Sequence, residues 1–208
     1  MHGPGVSSHA LLDPKRQAIL RYARKAFVSE GYAATRIEPI AREAAVSTAT
    51  LYALFDGKAQ LFSAVIEDAA QDFARQMAGV GSIEGDARQQ LISFAEAYAG
   101  FMGDPFVRSV FRLVMAERPR FQAVARRFFE HGQLAFGATL IDILKAQSAA
   151  GALKPIDRPS RAAGHLMGMV EHPVFFVPLV TGDEIAVRRT NAEIVEDAVD
   201  TFMARYGA

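Results

Sequence analysis

Ile37-Glu38-Pro39-Ile40-Ala41-Arg42-Glu43-Ala44-Ala45-Val46-Ser47-Thr48-Ala49-Thr50-Leu51-Tyr52-Ala53-Leu54-Phe55 is the stretch on which the fold is decided. Ile37, Ile40, Ala41 and Ala44 recur at helical spacing, and Leu51, Leu54 and Phe55 do so again after a break. Between them Ala45-Val46 makes a turn, and Ser47 is a natural N-cap because its hydroxyl can accept an orphan backbone N–H. Two short helices joined by such a turn cross steeply, the layout of a helix-turn-helix. The second helix is expected to turn Thr48, Ala49, Thr50 and Tyr52 outward, with no long charged side chain among them. That surface suits a major groove, where hydroxyls can bond base edges and methyl groups can touch thymine. On pattern alone, two short helices packed in an ordinary bundle remain the alternative.

The chain on either side reads as helical throughout, without sustained period-2 alternation. Asp13-Pro14 starts a first helix, carried by Ile19, Ala23, Ala26 and Phe27 and stopped at Gly31. Thr35-Arg36-Ile37-Glu38 reads as a capping box for the second helix, whose first turn Pro39 weakens. Asp56-Gly57 ends the third, and a fourth runs from Lys58 to about residue 78 with Leu61, Phe62, Val65, Ala69 and Phe73 on its apolar face. Gly79 to Gly85 is the best hinge candidate. Further helices are expected at about 86–102, 105–116, 119–150, 159–176 and 184–206, with Gly151 and Gly182 marking ends. The expected organisation is a loose arm over 1–12, a helix-turn-helix domain over 13–60, and a larger helical bundle over 61–208. The fold class is all-α, with about nine helices.

Half of the 208 residues are hydrophobic, so a substantial core can form, and the absence of cysteine excludes a disulfide scaffold, a zinc finger and a thiol nucleophile. Net charge is zero, but residues 1–62 carry eight basic against five acidic residues and the remainder fifteen against eighteen. Uneven solvated faces would give the same imbalance. The N-terminal residues lack the basic start and apolar run of a signal peptide. The apolar stretch Gly164 to Gly182 is interrupted by Glu171, His172, Pro173 and Pro178, which argues against a membrane span. A soluble, cytoplasmic protein is expected.

A longer pattern joins these pieces. Phe27-x-x-x-Gly31-Tyr32-x-x-Thr35, Ile40-Ala41, Ala44-Ala45-Val46-Ser47-x-x-Thr50-Leu51-Tyr52-x-x-Phe55 and Lys58-x-x-Leu61-Phe62 together resemble the DNA-binding domain of the TetR family of transcriptional regulators. The resemblance implies a homodimer on a pseudo-palindromic operator of double-stranded DNA, probed by Thr35, Arg36, Ser47, Thr48, Ala49, Thr50, Tyr52 and Lys58. Thr35 and Ser47 would cap their helices, Arg36 and Lys58 would meet phosphates at positive helix ends, and Tyr52 would reach the backbone. Ile37, Ile40, Ala44, Val46, Leu51 and Phe55 would be core. Family members often carry Gly where Ala45 and Ala49 stand, and His or Tyr near Ala53 and Leu54. An Ala in a left-handed turn costs roughly 1–2 kcal/mol, so strain is expected at Ala45, and fewer phosphate contacts at Ala53 and Leu54.

Phe111-Arg112-Leu113-Val114-x-Ala116-Glu117-x-x-Arg120-Phe121 further resembles a C-terminal subtype of drug-efflux and stress-type TetR repressors. That implies a repressor released by a small hydrophobic inducer, with no cofactor. Phe101, Phe106, Phe111, Met115, Phe128, His131, His165 and Met169 are the candidate pocket residues, although aromatic and Met stripes more often form plain core. Val195, Ala198, Val199 and Phe202 on the last helix are the candidate dimer interface. An enzyme is a rival reading. Glu130-His131 and Glu171-His172 suggest metal, but the carboxylate-bridged sites need Glu-x-x-His spacing, so no metal is expected. The glycines at 79, 81 and 85 lack a preceding strand and read as a linker rather than a nucleotide loop. A helical interaction module without DNA binding is the second rival.

Overall fold

Several helices begin where a side chain or a proline relieves the unpaired N–H groups of a first turn. Residues 13–77, 85–182 and 189–208 are described by a computed structural model of the chain. The expected arm at 1–12, nearly all of the Gly79–Gly85 hinge and the first residues of the 184–206 helix lie outside the described residues. Asp13 accepts from the backbone N–H of Lys15 and opens α1, Pro14–Ala34. Helical geometry breaks at Gly31, with φ +75°, as its sequence position predicts, and one further turn carries Tyr32 inward. α2 is Ile37–Glu43, α3 Thr48–Leu54 and α4 Lys58–Met77. Pro39 interrupts nothing in α2, because an N–H at the third helical position has no partner within the helix to lose.

From residue 85 onward come α5, Ala87–Met102, α6, Pro105–Glu117, and α7, Gln122–Ala149. Asp86 and Gln89 form a reciprocal capping box at the start of α5. α7 begins later than its apolar pattern suggests, because Arg118, Pro119 and Arg120 form a turn, with the N–H of Arg120 donating to the carbonyl of Glu117. α8, Pro159–Glu171, continues through a π-helical turn, His172–Phe176, into α9, Val177–Thr181. The prolines at 173 and 178 do not break the run, which passes the expected end near residue 176 and stops at Gly182. The wider turn absorbs the missing N–H donors, and Gly182, at φ +81°, ends the run. This run, Pro159–Thr181, passes a length-and-composition test for a membrane span only weakly, as the core helix of a globular domain also can, and does not overturn the sequence expectation. α10 is Asn191–Tyr206, opened by a capping box of Thr190 and Glu193. Among the described residues the fold is all-α, with one isolated antiparallel bridge between Leu153 and Gly207.

The helices gather into two compact units that do not follow chain order. The first holds residues up to Ala70 together with Leu113–Phe128, and the second Gln71–Arg112 with Phe129–Ala208. Ile19, Leu20, Ala23 and Phe27 of α1 and Leu61, Phe62, Val65 and Ile66 of α4 are all within 1% of complete burial. Arg24 of α1 pairs with Asp68 of α4, and Arg127 donates to Glu67 at 2.7 Å, tying the 113–128 segment to the same unit. In the second unit α5 packs against α8 and α10, burying Leu91, Phe94, Ala95, Leu166, Val170, Val195, Val199 and Phe202.

The turn between α2 and α3 is a Schellman motif. The N–H of Val46 donates to the carbonyl of Ala41 at 3.0 Å and that of Ala45 to Arg42 at 3.1 Å. This wrapping forces Ala45 to φ +53°, so the strain anticipated from its sequence position is present. Because Ala45 is exposed, its methyl group contributes little to offset that cost. Ala45→Gly is expected to stabilise the protein by about 1 kcal/mol, after allowing for the greater unfolded-state freedom of glycine. A rise in the chemical denaturation midpoint at unchanged slope is the expected observation, and an unchanged or lower midpoint would count against strain at this turn.

Candidate nucleic-acid interface

α3 presents a short, polar, lightly populated face. Ser47 caps it, accepting from the backbone N–H of Thr50 at 3.0 Å, while the two hydroxyls of Ser47 and Thr50 lie 2.8 Å apart. Leu51 is fully buried and Phe55 nearly so, which turns Ser47, Thr48, Ala49, Tyr52 and Ala53 to the surface. Thr50 is half-buried. Tyr52 is 52% exposed, a large share for an aromatic ring with no role in the core. Val46, expected in the core, is only half-buried.

Two residues play parts that differ from the sequence reading. Thr35 does not cap α2. It is 2% exposed, and its hydroxyl donates back to the carbonyl of Gly31 at 2.7 Å, closing the end of α1. The α2 N-cap is Arg36, exposed and without a side-chain capping bond, so the Thr35–Glu38 capping box is not formed. Lys58 turns inward as well as outward. Its ammonium donates to the carbonyls of Ala33 at 2.9 Å and Thr35 at 2.8 Å and lies 4.8 Å from the centre of the Tyr32 ring. A cation at the carbonyl end of α1 complements the negative end of that helix. Lys58 therefore fixes the start of α4 to the segment that leads into α2.

The Tyr32 ring is the junction of this unit. It packs on Phe27, on Phe62 at 5.3 Å and on Phe121 at 4.9 Å, and Arg120 lies 4.6 Å from its centre. Phe121 also meets Phe62 at 4.7 Å. Tyr32, just before the helix-turn-helix, is thus braced by a turn more than eighty positions further along the chain, outside the domain bounds of 13–60 expected from sequence.

Residues 19–65 match the family described as bacterial regulatory proteins of the tetR family, and residues 89–208 match the AefR-like transcriptional repressor C-terminal domain. The chain belongs to the TetR family. Solved structures of similar fold include a TetR-family transcriptional regulator from Mesorhizobium loti, 26% identical with a TM-score of 0.81, covering 93% of this chain and 97% of that one. The flavonoid-responsive regulator FrrA is 26% identical with a TM-score of 0.71 over the same shares of the two chains. A TetR-family regulator from Pseudomonas syringae, 23% identical with a TM-score of 0.68, covers 94% of this chain and 98% of its own. No curated protein matches the chain. As a TetR-family member the protein is a DNA-binding transcriptional regulator.

Within residues 89–208, the part matched by the TetR C-terminal domain, the expected pocket residues differ in exposure and divide between the two units. Phe106 and Met115 are 43% and 50% exposed, and His131 and His165 face the surface, the latter 2.9 Å from the Tyr206 hydroxyl. Met115 and Phe128 fall in the first unit. Phe101 is buried between Phe73 and Phe136, Phe111 meets Phe175 at 4.9 Å, and Met169 is half-buried. The expected dimer residues are displaced more clearly. Val195, Ala198, Val199 and Phe202 are 0–4% exposed within the single chain, so they serve its own core and have no surface left for a partner. The wide apolar arc of α10 is consumed by α5 and α8.

The polar features of the second unit escaped the sequence reading. Tyr98, 3% exposed, donates its hydroxyl to the Glu171 carboxylate at 2.8 Å, at the point where α8 enters the π-turn. Arg108 is 5% exposed and donates to the carbonyls of Gly103 and Val174, the latter within that turn. A tyrosine among aromatic residues and an arginine amid Phe and Val carry no periodic signal, so only their burial marks them. Glu171 is thereby engaged with a phenol, His172 stacks on Phe176, and Glu130 and His131 are exposed. Among the described residues no group of acidic and histidine side chains could hold a metal ion.

Burial, and then the neighbouring Glu171 carboxylate, hold the Tyr98 phenol neutral well above its ordinary range. Its folded value is raised, so its contribution to stability is complete below about pH 10 and is lost as pH rises beyond that. In an alkaline absorbance titration, the wild type is expected to show one phenol that ionises only as the protein unfolds, and Tyr98→Phe to lack that late step. Early ionisation of every phenol would refute the arrangement.

Proposed function

We propose that the protein is a homodimeric repressor, rather than an enzyme, that occupies a pseudo-palindromic operator and leaves it when a small hydrophobic ligand binds. The observation that carries the DNA-reading part is the exposed face of α3. The uncharged surface of Thr48, Ala49 and Tyr52, capped by Ser47, is turned to solvent and has the shape that a major groove accepts. Thr48, Ala49 and Thr50 read base edges in this proposal. Ser47, Arg36 and Tyr52 hold phosphates, and Lys58 uses what remains of its charge beyond the two carbonyls it already caps. Thr35 supports them through its own backbone and makes no contact, because its side chain is buried.

The dimer is proposed on the outer side of α8 and α9 rather than on the inward residues of α10. Gly164 and Gly168 are exposed with open space around them, and Phe176 and Val180 are 53% and 67% exposed. An apolar stripe of this kind on a family whose members pair through their last helices is most simply covered by a second copy. The ligand part is supported by the buried Tyr98–Glu171 pair beside a π-turn, a feature that recurs at functional sites, and by the relative that is a flavonoid-responsive regulator.

A gel shift with the DNA flanking the protein's own gene tests the reading. A specific shift that Tyr52→Ala weakens about tenfold at unchanged thermal stability is expected, and a folded dimer that shifts neither that DNA nor any sequence recovered by random-site selection would sink it. For the interface, Phe176→Asp with Val180→Asp is expected to give monomers in sedimentation velocity and to abolish the operator shift. A variant that stays dimeric would place the interface elsewhere.

A further inference from the structure

The turn between α6 and α7 changes the charge of the unit it joins. Residues up to Ala70 carry eight basic and seven acidic side chains, close to neutral. The Leu113–Phe128 segment adds Arg118, Arg120, Arg126 and Arg127 against the single acid Glu117. Twelve basic against eight acidic residues then give the first unit +4, and the second unit −4. Packing of the 113–128 segment adds three of the four net positive charges of the DNA-binding unit.

The cations of this unit divide into two groups by what they touch. Arg24 and Arg127 are committed to Asp68 and Glu67. Arg36, Arg118 and Arg120 are exposed, and no carboxylate pairs with them among the described residues. Arg120 rests on the Tyr32 ring at 4.6 Å and Lys58 on the same ring at 4.8 Å. Lys58 in turn holds the carbonyl of Thr35, the residue before Arg36. An unbroken line of contacts therefore runs from the start of α2 through Lys58 and Tyr32 to the α6–α7 turn. The turn is held rigid there by Phe121 against Tyr32 and Phe62. Exposed guanidinium groups on a preset support lose little freedom when they meet an anion, and planar N–H forks match phosphate oxygens.

We propose that Arg118 and Arg120 are phosphate contacts to the DNA backbone, made from outside the helix-turn-helix. The α6–α7 turn extends the cationic edge of Arg36 and Lys58 along the duplex and compensates for Ala53 and Leu54, which offer the backbone no polar group. The contacts carry no sequence information. They strengthen binding to any duplex and steepen its dependence on salt. This inference rests on the DNA-binding reading of α3, and its test separates the two.

The experiment is fluorescence anisotropy of the full-length protein on a labelled duplex of arbitrary sequence, about 30 base pairs long, from about 50 to about 200 mM NaCl. Each phosphate contact contributes about 0.9 to the slope of log affinity against log salt. Replacing both arginines by Gln in each of two subunits is therefore expected to lower the slope by about 2 to 4 and to weaken binding at least tenfold at the low-salt end. The Arg118→Lys/Arg120→Lys protein keeps the charge and is expected to keep most of the slope. A fall of less than one unit in the Gln variant overturns the proposal, as does a Lys variant that loses as much as the Gln variant, which would assign the effect to packing on Tyr32. Should the double Gln variant fail to fold, Arg118→Gln alone carries the test, since Arg118 touches no ring, with an expected fall of about 1 to 2. A wild type that binds no duplex at low salt fails the DNA-binding reading itself, and this inference with it.

Discussion

The ring of Tyr32 is the point on which the DNA-binding unit is assembled. Gly31 breaks α1 one residue earlier, and the last turn of the helix carries the ring inward, where Phe27, Phe62 and Phe121 close around it. Two cations lie on it, Lys58 and Arg120, from parts of the chain that are far apart in sequence. A ring so enclosed contributes more than its buried area, because edge-to-face aromatic pairs and cation–π contacts each add roughly 0.5–1.5 kcal/mol. Everything that positions the reading helix hangs on this cluster. Lys58 caps the end of α1, the segment from Thr35 enters α2 at a set angle, and the strained turn at Ala45 presents α3.

The surface of α3 illustrates how little chemistry a reading helix displays. Its stability comes from Ser47 at the N-terminus and from Leu51 and Phe55 on the inner side. What remains outside is two methyl-bearing hydroxyl residues, two alanines and one tyrosine, with Thr50 partly shielded by its contact with Ser47. Charge is supplied by the surroundings, at Arg36 and Lys58. Separation of this kind lets uncharged groups discriminate bases while charged groups supply strength, which in DNA recognition are distinct tasks.

The second unit has a different logic. Its helices share one apolar core, and two polar contacts, Tyr98 with Glu171 and Arg108 with Val174, converge on the π-turn between α8 and α9. Buried polar groups placed beside an irregular helix are costly unless paired, and here the Tyr98 hydroxyl and Arg108 Nη1 are paired. The outer side of the same helical run keeps Phe176 and Val180 in water, so one element divides its residues between a polar inner seam and an apolar outer stripe.

Much of this was legible in the residues themselves because it depends on neighbours in sequence. The starts at Asp13, Ser47 and Asp86, the stop at Gly31 and the strain at Ala45 are local matters of backbone dihedrals and orphan N–H groups, and motif spacing over Phe27 to Phe62 is enough to identify the TetR family. Thr35 misled because a hydroxyl between two helices can serve either, and only the burial of its side chain decides that it closes the first. Val195, Ala198, Val199 and Phe202 misled for a related reason. A helical stripe states that a face is buried, but not whether its own chain or a partner buries it. The membership of Arg118, Arg120 and Phe121 in the DNA-binding unit was beyond reach of pattern altogether, because contacts between distant segments follow from how whole helices pack. The sequence by itself determined the helices, most of their starts and stops, and the outward face of α3. Tertiary packing alone decided which cations join the helix-turn-helix unit and which apolar surfaces remain open.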